Sequence, residues 1–435
     1  MKILVVTLGT RGDVQPFVAL ARSARDRGHD VVLAAPERFR PLAAAHGLDL
    51  VRIDDGPLAL MDGVAGAAVS GGVRAKLALA RAMPAAFGRV LEDCATIARG
   101  IGHDADVVVH NGQVIGAPHV AELLGVPCVL ALTVPVYVPT REFPWPGAPL
   151  PPWLPGWANR AGYLGMRGPA VVFARVVDDW RRRDLGLPRR RGRHDPLRRP
   201  DGVPVPVLNA VSRHVVPPPE DWPPSVTTTG YWFLPAARPG LPAGVEEFLA
   251  AGEPPVLVGF GSMAGADPAA TTRTVLDAVR AAGLRAIVAT GWGGLVAGEV
   301  PASVLVVDDV PHDVLLPRVA AVVHHGGAGT TAAVAAAGRP QVVCPFVADQ
   351  PFWARRVHDL GVGPAPVPQR RMTAAALAAA LRMATGDPAV AARAAALGAR
   401  IREEDGTAVA VRALEALVTG ATAAAPRTPS PPSWS

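Results

Sequence analysis

Along the chain, short apolar runs rich in Val, Leu and Ile alternate with longer Ala-rich stretches whose apolar positions recur at helical spacing. That alternation is the pattern of βα units building parallel sheets. In the first half, Ile3–Leu8, Val31–Ala35, Val107–His110 and Val126–Leu132 read as strands, apolar on both faces as strands covered by helices should be. Between the first two, Gln15–Arg27 places Phe17, Leu20, Ala21 and Ala24 on one face and ends at Gly28, an amphipathic helix. Leu58–Leu91 also has a helical pattern, suited to an acceptor-facing region or to ordinary core.

A second series follows. Val256–Phe260, Ala286–Thr290, Val304–Val307, Ala321–His324 and Gln341–Cys344 read as strands, with Thr271–Ala282, Thr330–Ala337, Phe352–Leu360, Thr373–Met383 and Ala389–Leu417 as helices. Between the series, Pro135–Trp157 is dense in Pro and Trp and resists either assignment. Its Trp145, Trp153 and Trp157 suit an apolar pocket or the packing of a long loop. The expected division is a first domain over residues 1–214, a Pro-rich linker over 215–242, a second domain over 243–418 and a disordered tail over 419–435. Two such α/β domains facing each other put a ligand cleft at the carboxyl ends of both sheets.

Composition changes this picture little. With 435 residues, half of them apolar and 18% charged, the chain is globular and long enough for two cores. No apolar run is long enough to span a bilayer. After Lys2 only a short apolar run precedes Arg11 and Asp13, without the cleavage site of a secretory signal, which places the protein in the cytoplasm. Cys94, Cys128 and Cys344 lie far apart and read as core residues rather than a disulfide or zinc framework. The net charge of +6 is local: Arg181–Arg199 holds nine arginines against Asp184 and Asp195. That excludes a nucleic-acid groove across the fold. The loop reads as a solvated insertion or as a contact for anionic lipid at a membrane surface.

Candidate chemistry gathers at strand ends. Strand Ala321–His324 runs through His325, Gly326, Gly327, Ala328, Gly329, Thr330 and Thr331 into a helix. Glycines allow a tight turn and close approach, and the helix start offers unpaired N–H groups with partial positive charge, a ready anion site. His325 can add a hydrogen bond or a charge, and Thr330 or Thr331 a hydroxyl. Further on, Asp349 and Gln350 pair an acid with an amide, suited to vicinal sugar hydroxyls, although Asp349 before Pro351 also suits a helix cap. At the other end, Asp13 follows strand one in Gly9-Thr10-Arg11-Gly12-Asp13, facing the same cleft. It can serve as a general base or cap the helix beginning near Val14, and a helix start should lower its pKa. Ser262, in a weak GxGxxA pattern, suits a phosphate or sugar contact, and no acid ends the next strand to support NAD. Val310-Pro311-His312 offers backbone to a pyrimidine edge, with Pro311 against the ring. No carboxylate cluster with metal spacing accompanies these motifs.

TLGTRGDVQPF near the start, TTTGYWFLP at the linker, and VPHDVLLPR through HHGGAGTTAAVAAAGRPQVVCPFVADQPFWARRV resemble the inverting UDP-glycosyltransferases of the GT-B fold, over nearly the whole chain. Within that family the likeness is to sterol glucosyltransferases and to actinobacterial enzymes that glycosylate macrolide and glycopeptide antibiotics. The resemblance implies Asp13 as catalytic base, and His325, Gly327, Gly329 and Thr330 at the donor diphosphate. It also implies Asp349 and Gln350 at the transferred sugar and Ser262 after the first strand of the donor domain. Asp309 and His312 stand where plant members carry a base-stacking Trp and a Gln, which leaves UDP and dTDP both open. Plant members also use an N-terminal His, where this loop has Thr10 and Asp13; His110 receives no role.

The expected activity is inverting, metal-independent hexosyl transfer, of glucose or a deoxysugar, to a hydroxyl of a lipophilic aglycone. The nucleotide sugar is co-substrate and no further cofactor is implied. Alternatives are a membrane-surface transferase using a lipid acceptor, a nucleotide-sugar epimerase on the same fold, and a non-catalytic helper.

Overall fold

The computed structural model describes the chain apart from residues 57–72, 102–103, 148–150, 152, 191–193, 238–239, 262–266, 291–299, 309 and 425–435. Two parallel sheets form the framework. The first joins β1 (Lys2–Val6), β2 (Asp30–Pro36), β3 (Leu50–Ile53), β4 (Val107–Asn111), β5 (Cys128–Leu132), β6 (Val207–Asn209) and β7 (Val226–Thr228) in the order β3-β2-β1-β4-β5-β6-β7. The second joins β8 (Val256–Gly259), β9 (Ala286–Ala289), β10 (Val304–Val307), β11 (Val322–His324) and β12 (Gln341–Val343) in the order β10-β9-β8-β11-β12. Both are the expected α/β halves.

In each sheet the winding direction reverses beside its first strand, between β1 and β4 and between β8 and β11. Ligands of doubly wound sheets bind outside the carboxyl ends of the strands at such points. The loops ending there are Gly9–Asp13 and Gly112–Gln113 in one half, and Gly261 and His325–Gly327 in the other. Those four loops frame the site.

The strands are apolar on both faces because helices cover both. Ile3, Val5, Val107 and Val109 face helix Arg11–Asp26, whereas Leu4, Val6 and Val108 face helices Val73–Ile101, Ala117–Leu124 and Ala174–Asp184. The expected helix over 58–91 is observed as Val73–Ile101, and residues 57–72 lie outside the described residues. The cysteines are core, as expected: Cys94 and Cys344 are buried and Cys128 half-buried.

The domain boundaries differ from the expectation in two places. Val226–Thr228, inside the stretch read as linker, is the edge strand β7 of the first sheet. The helix expected over 389–417 is two helices, Pro388–Arg402 and Gly406–Ala424. The second crosses back, and its Ala410, Val411 and Leu414 join the first domain's core beside helix Arg11–Asp26. Apolar periodicity gives the helix but not which sheet it covers. The last helix also continues into the stretch expected as disordered tail.

Between the halves, Val215, Val216 and Tyr231 pack with Trp353, Val357 and Ile401 in one apolar cluster. Arg356 Nε and Nη2 both donate to the Val215 carbonyl at 2.9 and 2.7 Å.

Part of the arginine-rich segment is fastened to the body, while Arg182, Arg183, Arg189, Arg198 and Arg199 stand exposed. Arg181 is buried and donates through Nη1 and Nη2 to Glu122 at 2.8 and 2.9 Å; Arg190 Nη2 reaches the same carboxylate at 2.6 Å. Burial opposes ionisation of Glu122, yet hydrogen bonds from Arg181 and Arg190 hold its carboxyl down at about 2. Arg189 pairs with Asp179 and Arg183 with Asp184. Sequence charge alone gave no sign of these acids, because Glu122 and Asp179 lie outside the basic run.

Candidate functional site

The anion loop is braced from below. His324, the last residue of β11, is fully buried; its Nδ1 accepts from the Gly326 N–H at 3.1 Å and its Nε2 lies 2.9 Å from Gln341 Oε1. Those partners require the Nε2–H tautomer, and burial holds the ring's pKa at about 3. His324 is thus a neutral brace tying the loop to β12, a role that the sequence did not disclose.

His325 faces the opening. Burial lowers its pKa to about 4, so the ring is neutral in the free protein. Its Nδ1 is buried without a hydrogen-bond partner, the kind of atom a ligand completes. Gly327 is required by this ring, because a Cβ there would sit 2.5 Å from His325 Nε2. Gly327 also begins helix Ala328–Ala336, whose first-turn N–H groups at Ala328, Gly329 and Thr330 have no helical acceptor. Gly329 has open space where a Cβ would point, so no packing among the described residues demands a glycine there. Thr331 is committed, its hydroxyl donating to the Gly327 carbonyl at 3.0 Å; Thr330 is half-exposed and remains for a ligand.

Asp349 lies just before helix Gln350–Asp359 but does not cap it. Its Oδ2 instead accepts from Trp353 Nε1 at 2.7 Å. The preceding residue, Ala348, has φ 57°, a left-handed conformation unusual for an L side chain. Gln350 is buried, and its Oε1 accepts the N–H groups of Phe346 and Val347 at 2.7 and 3.1 Å, which leaves its amide nitrogen as the free end. The pair therefore divides its work: Gln350 shapes the loop while Asp349 is held toward the cleft. Val310 packs its side chain in the core, so only its backbone can read a base. Ser262 and Asp309 lie outside the described residues.

Across the cleft, Asp13 is the third residue of helix Arg11–Asp26, and Thr10 occupies the cap position. Asp13 Oδ2 accepts from the Thr10 N–H at 2.8 Å and the Thr10 hydroxyl at 2.9 Å. The capping interaction and the cleft-facing carboxylate are one arrangement rather than alternatives. Gly9 makes room for it: with φ 135°, a Cβ there would collide with the Asp13 side chain. Burial raises the Asp13 pKa, against the opposing hydrogen bonds from Thr10 and Gln113. The lowering expected from a helix start is outweighed. Asp349 is likewise raised, first by burial and also by the charge of Asp13. The two carboxylates, one from each domain, thus sense each other across the cleft.

His110, the penultimate residue of β4, has Nδ1 2.7 Å from the Asn111 carbonyl, and burial lowers its pKa to about 4. Neighbouring Asn111 donates to the Leu8 carbonyl at 2.5 Å and accepts from the Leu8 N–H, fixing the end of β1 that leads to Asp13. Asn111 and Gln113 are site residues missed in the sequence; their only signal is a place after a strand at a switch point.

A cleft between two doubly wound halves, with an anion loop on one side and a carboxylate on the other, is the framework of a two-domain nucleotide-sugar enzyme. Residues 3–142 match the glycosyltransferase family 28 N-terminal domain, and residues 274–417 match the C-terminal domain of erythromycin biosynthesis protein CIII-like proteins. A sterol 3-beta-glucosyltransferase of Arabidopsis thaliana is 36% identical over 95% of this chain and 67% of its own length. One of Emericella nidulans is 34% identical over 95% of this chain and 30% of its own. This chain therefore spans from under a third to about two thirds of these relatives. Among solved structures, the kitacinnamycin glycosyltransferase superposes with a TM-score of 0.70 at 21% identity, covering 96% of this chain and 99% of that one. The glycosyltransferase VinC in complex with dTDP gives 0.66 at 20% identity, covering 97% and 100%. These likenesses show the fold. The chain belongs to the GT-B UDP-glycosyltransferases.

Proposed function

We propose that the protein transfers a hexose, with inversion, from a nucleotide-diphosphate sugar to a hydroxyl of a lipophilic acceptor. The observation that carries this is the placing of Asp13 close enough to Asp349 for its charge to act on that carboxylate across the cleft, with the anion loop at the neighbouring strand end on the Asp349 side. In a single displacement, the acceptor oxygen forms the new bond to the anomeric carbon as the bond to the diphosphate oxygen breaks. Asp13 takes the acceptor's proton, and its raised pKa suits it to that work better than an ordinary surface carboxylate. The transition state is oxocarbenium-like, as in glycosidases.

The leaving diphosphate gathers negative charge at the open N–H groups of Ala328–Thr330 and at His325. Preorganised donors of this kind are worth about 3 kcal/mol each in acyl-transfer sites, and the reading needs no metal ion to supplement them. Asp349 takes sugar hydroxyls. The classes on both sides are supported by the relatives, which are sterol glucosyltransferases, and by a structural neighbour that holds dTDP. UDP and dTDP donors and a sterol-like or polyketide-like acceptor all fit.

Asp13→Asn is the test. The amide oxygen still accepts from Thr10, so the helix start survives while the base is lost. Transfer should fall by about 10²–10⁴-fold, whereas the thermal shift produced by UDP- or dTDP-glucose should persist. Loss of donor binding together with transfer would assign Asp13 to structure and overturn its role as base.

A further inference from the structure

Soluble folds turn large apolar side chains inward, so a cluster turned outward marks an interaction surface. Among the described residues, six large apolar side chains are more than half exposed, and five lie within one stretch of twenty residues. They are Trp153 (76%), Trp157 (72%), Leu164 (59%), Val171 (71%) and Val172 (71%). The stretch comprises helix Gly156–Gly162, a 3-10 turn at Tyr163–Arg167 and helix Gly168–Val172, all in the first domain. Inward, Asn159, whose amide donates to the Arg141 carbonyl at 3.0 Å, and Tyr163 are buried, while these larger apolar side chains point outward.

Charge continues from the crest. Phe173 has φ −93° and ψ 1°, which carries the chain on almost helically into Ala174–Asp184. Arg175 and Arg182 stand exposed on that helix, seven residues and hence two turns apart on one face. Neither has a bonded partner among the described residues, in contrast to the fastened Arg181, Arg183, Arg189 and Arg190. From 153 to 199 the sequence holds twelve arginines against four aspartates. Tryptophans beside exposed arginines are the combination that settles at the boundary between lipid tails and headgroups, with arginine reaching the phosphates.

We infer that this crest docks the protein onto the surface of an anionic phospholipid bilayer, with Trp153, Trp157 and Leu164 in the interfacial layer and Arg175 and Arg182 on headgroup phosphates. A second copy of the chain fits less well, because a symmetric dimer through this face would bring two basic surfaces together. The position also has a use. A cavity of about 350 Å³ lies against the crest, lined by Trp157, Leu164, Tyr163 and Tyr137 among others, and the buried Tyr163 hydroxyl there has no partner. Tyr137 donates to the Gly112 carbonyl at 2.8 Å, and Gly112 adjoins the Gln113 that contacts Asp13. The crest therefore lies on the catalytic side of its domain. Docking itself does not depend on the proposed transfer.

Flotation of the full chain with vesicles tests this. Phosphatidylcholine vesicles containing phosphatidylglycerol should carry the protein, and vesicles of phosphatidylcholine alone should carry much less. The variant Trp153→Ser/Trp157→Ser/Leu164→Ser should bind vesicles about tenfold more weakly or worse, and Arg175→Ala/Arg182→Ala should lose the preference for the anionic lipid. Both variants should keep the wild-type melting temperature and the shift on adding UDP- or dTDP-glucose, which separates docking from folding and from the donor site. A wild-type chain that stays off anionic vesicles, or a triple variant that floats like wild type, overturns the inference. So does equal binding to both lipid mixtures, or a wild-type dimer that the triple variant dissociates.

Discussion

At the scale of single residues, the site is a set of groups held away from their ordinary ionisation. His324 and His325 are neutral because they are buried, and the pKa values of Asp13 and Asp349 are raised from the ordinary Asp value for the same main reason. Such perturbation has a stability consequence. A carboxyl whose pKa is higher folded than unfolded favours the fold in its protonated form, and that advantage fades as pH rises from the ordinary Asp value through the raised one. Asp13→Asn removes the penalty of ionising there. Its melting temperature should therefore exceed the wild type's at neutral pH, and the gap should close below the ordinary carboxylate range. A melting series across pH in the absence of ligand measures this, and a variant less stable at neutral pH would mean that the Thr10 contacts outweigh the burial of charge. Residue types alone announced Asp13, His325 and Asp349 as candidates. They did not announce their ionisation, because burial is a property of the surroundings.

At the scale of elements, the anion loop works because two strands and a helix hold it in one shape. β11 supplies His324, β12 supplies Gln341, and the bond between them aims the loop whose glycine at 327 lets His325 lie across the helix start. Gln341→Leu leaves the buried His324 Nε2–H without an acceptor, which costs about 1–3 kcal/mol. Denaturant unfolding should show that loss, and the thermal shift with a nucleotide sugar should shrink because the loop is less fixed. The strand-glycine-helix run was legible as an anion site from its order alone. Its brace was not, because Gln341 lies a whole helix away and enters only through sheet pairing. The helix after Asp349 was legible as well, but not the bonds of its first residue: Gln350 Oε1 turns back to accept from Phe346 and Val347.

At the scale of the whole molecule, the chain closes on itself. The last helix leaves the second domain and buries Leu414 in the core of the first, while Arg356 and the cluster around Trp353 join the halves near the cleft. Leu414→Ala should lower stability by about 2–5 kcal/mol, read from denaturant unfolding. The loss should fall on the first domain, seen as hydrogen exchange rising in helix Arg11–Asp26, although residue 414 is encoded at the far end of the chain. A crossing of this kind makes the two domains discontinuous in sequence. It also couples their spacing, on which the separation of Asp13 from Asp349 depends.

Local order in the sequence determined the alternation of strands and helices, the two α/β halves, and the placing of Gly9–Asp13, His325–Thr331 and Asp349–Gln350 at strand ends. Those features follow from periodicity, turn residues and helix-start chemistry, all of which act over a few residues. Tertiary structure decided the rest: β7 in place of linker, the last helix on the first domain, the acids that fasten the arginine segment, and the neutral state of the histidines. Each depends on pairing and burial between residues far apart in the chain, which no local pattern records.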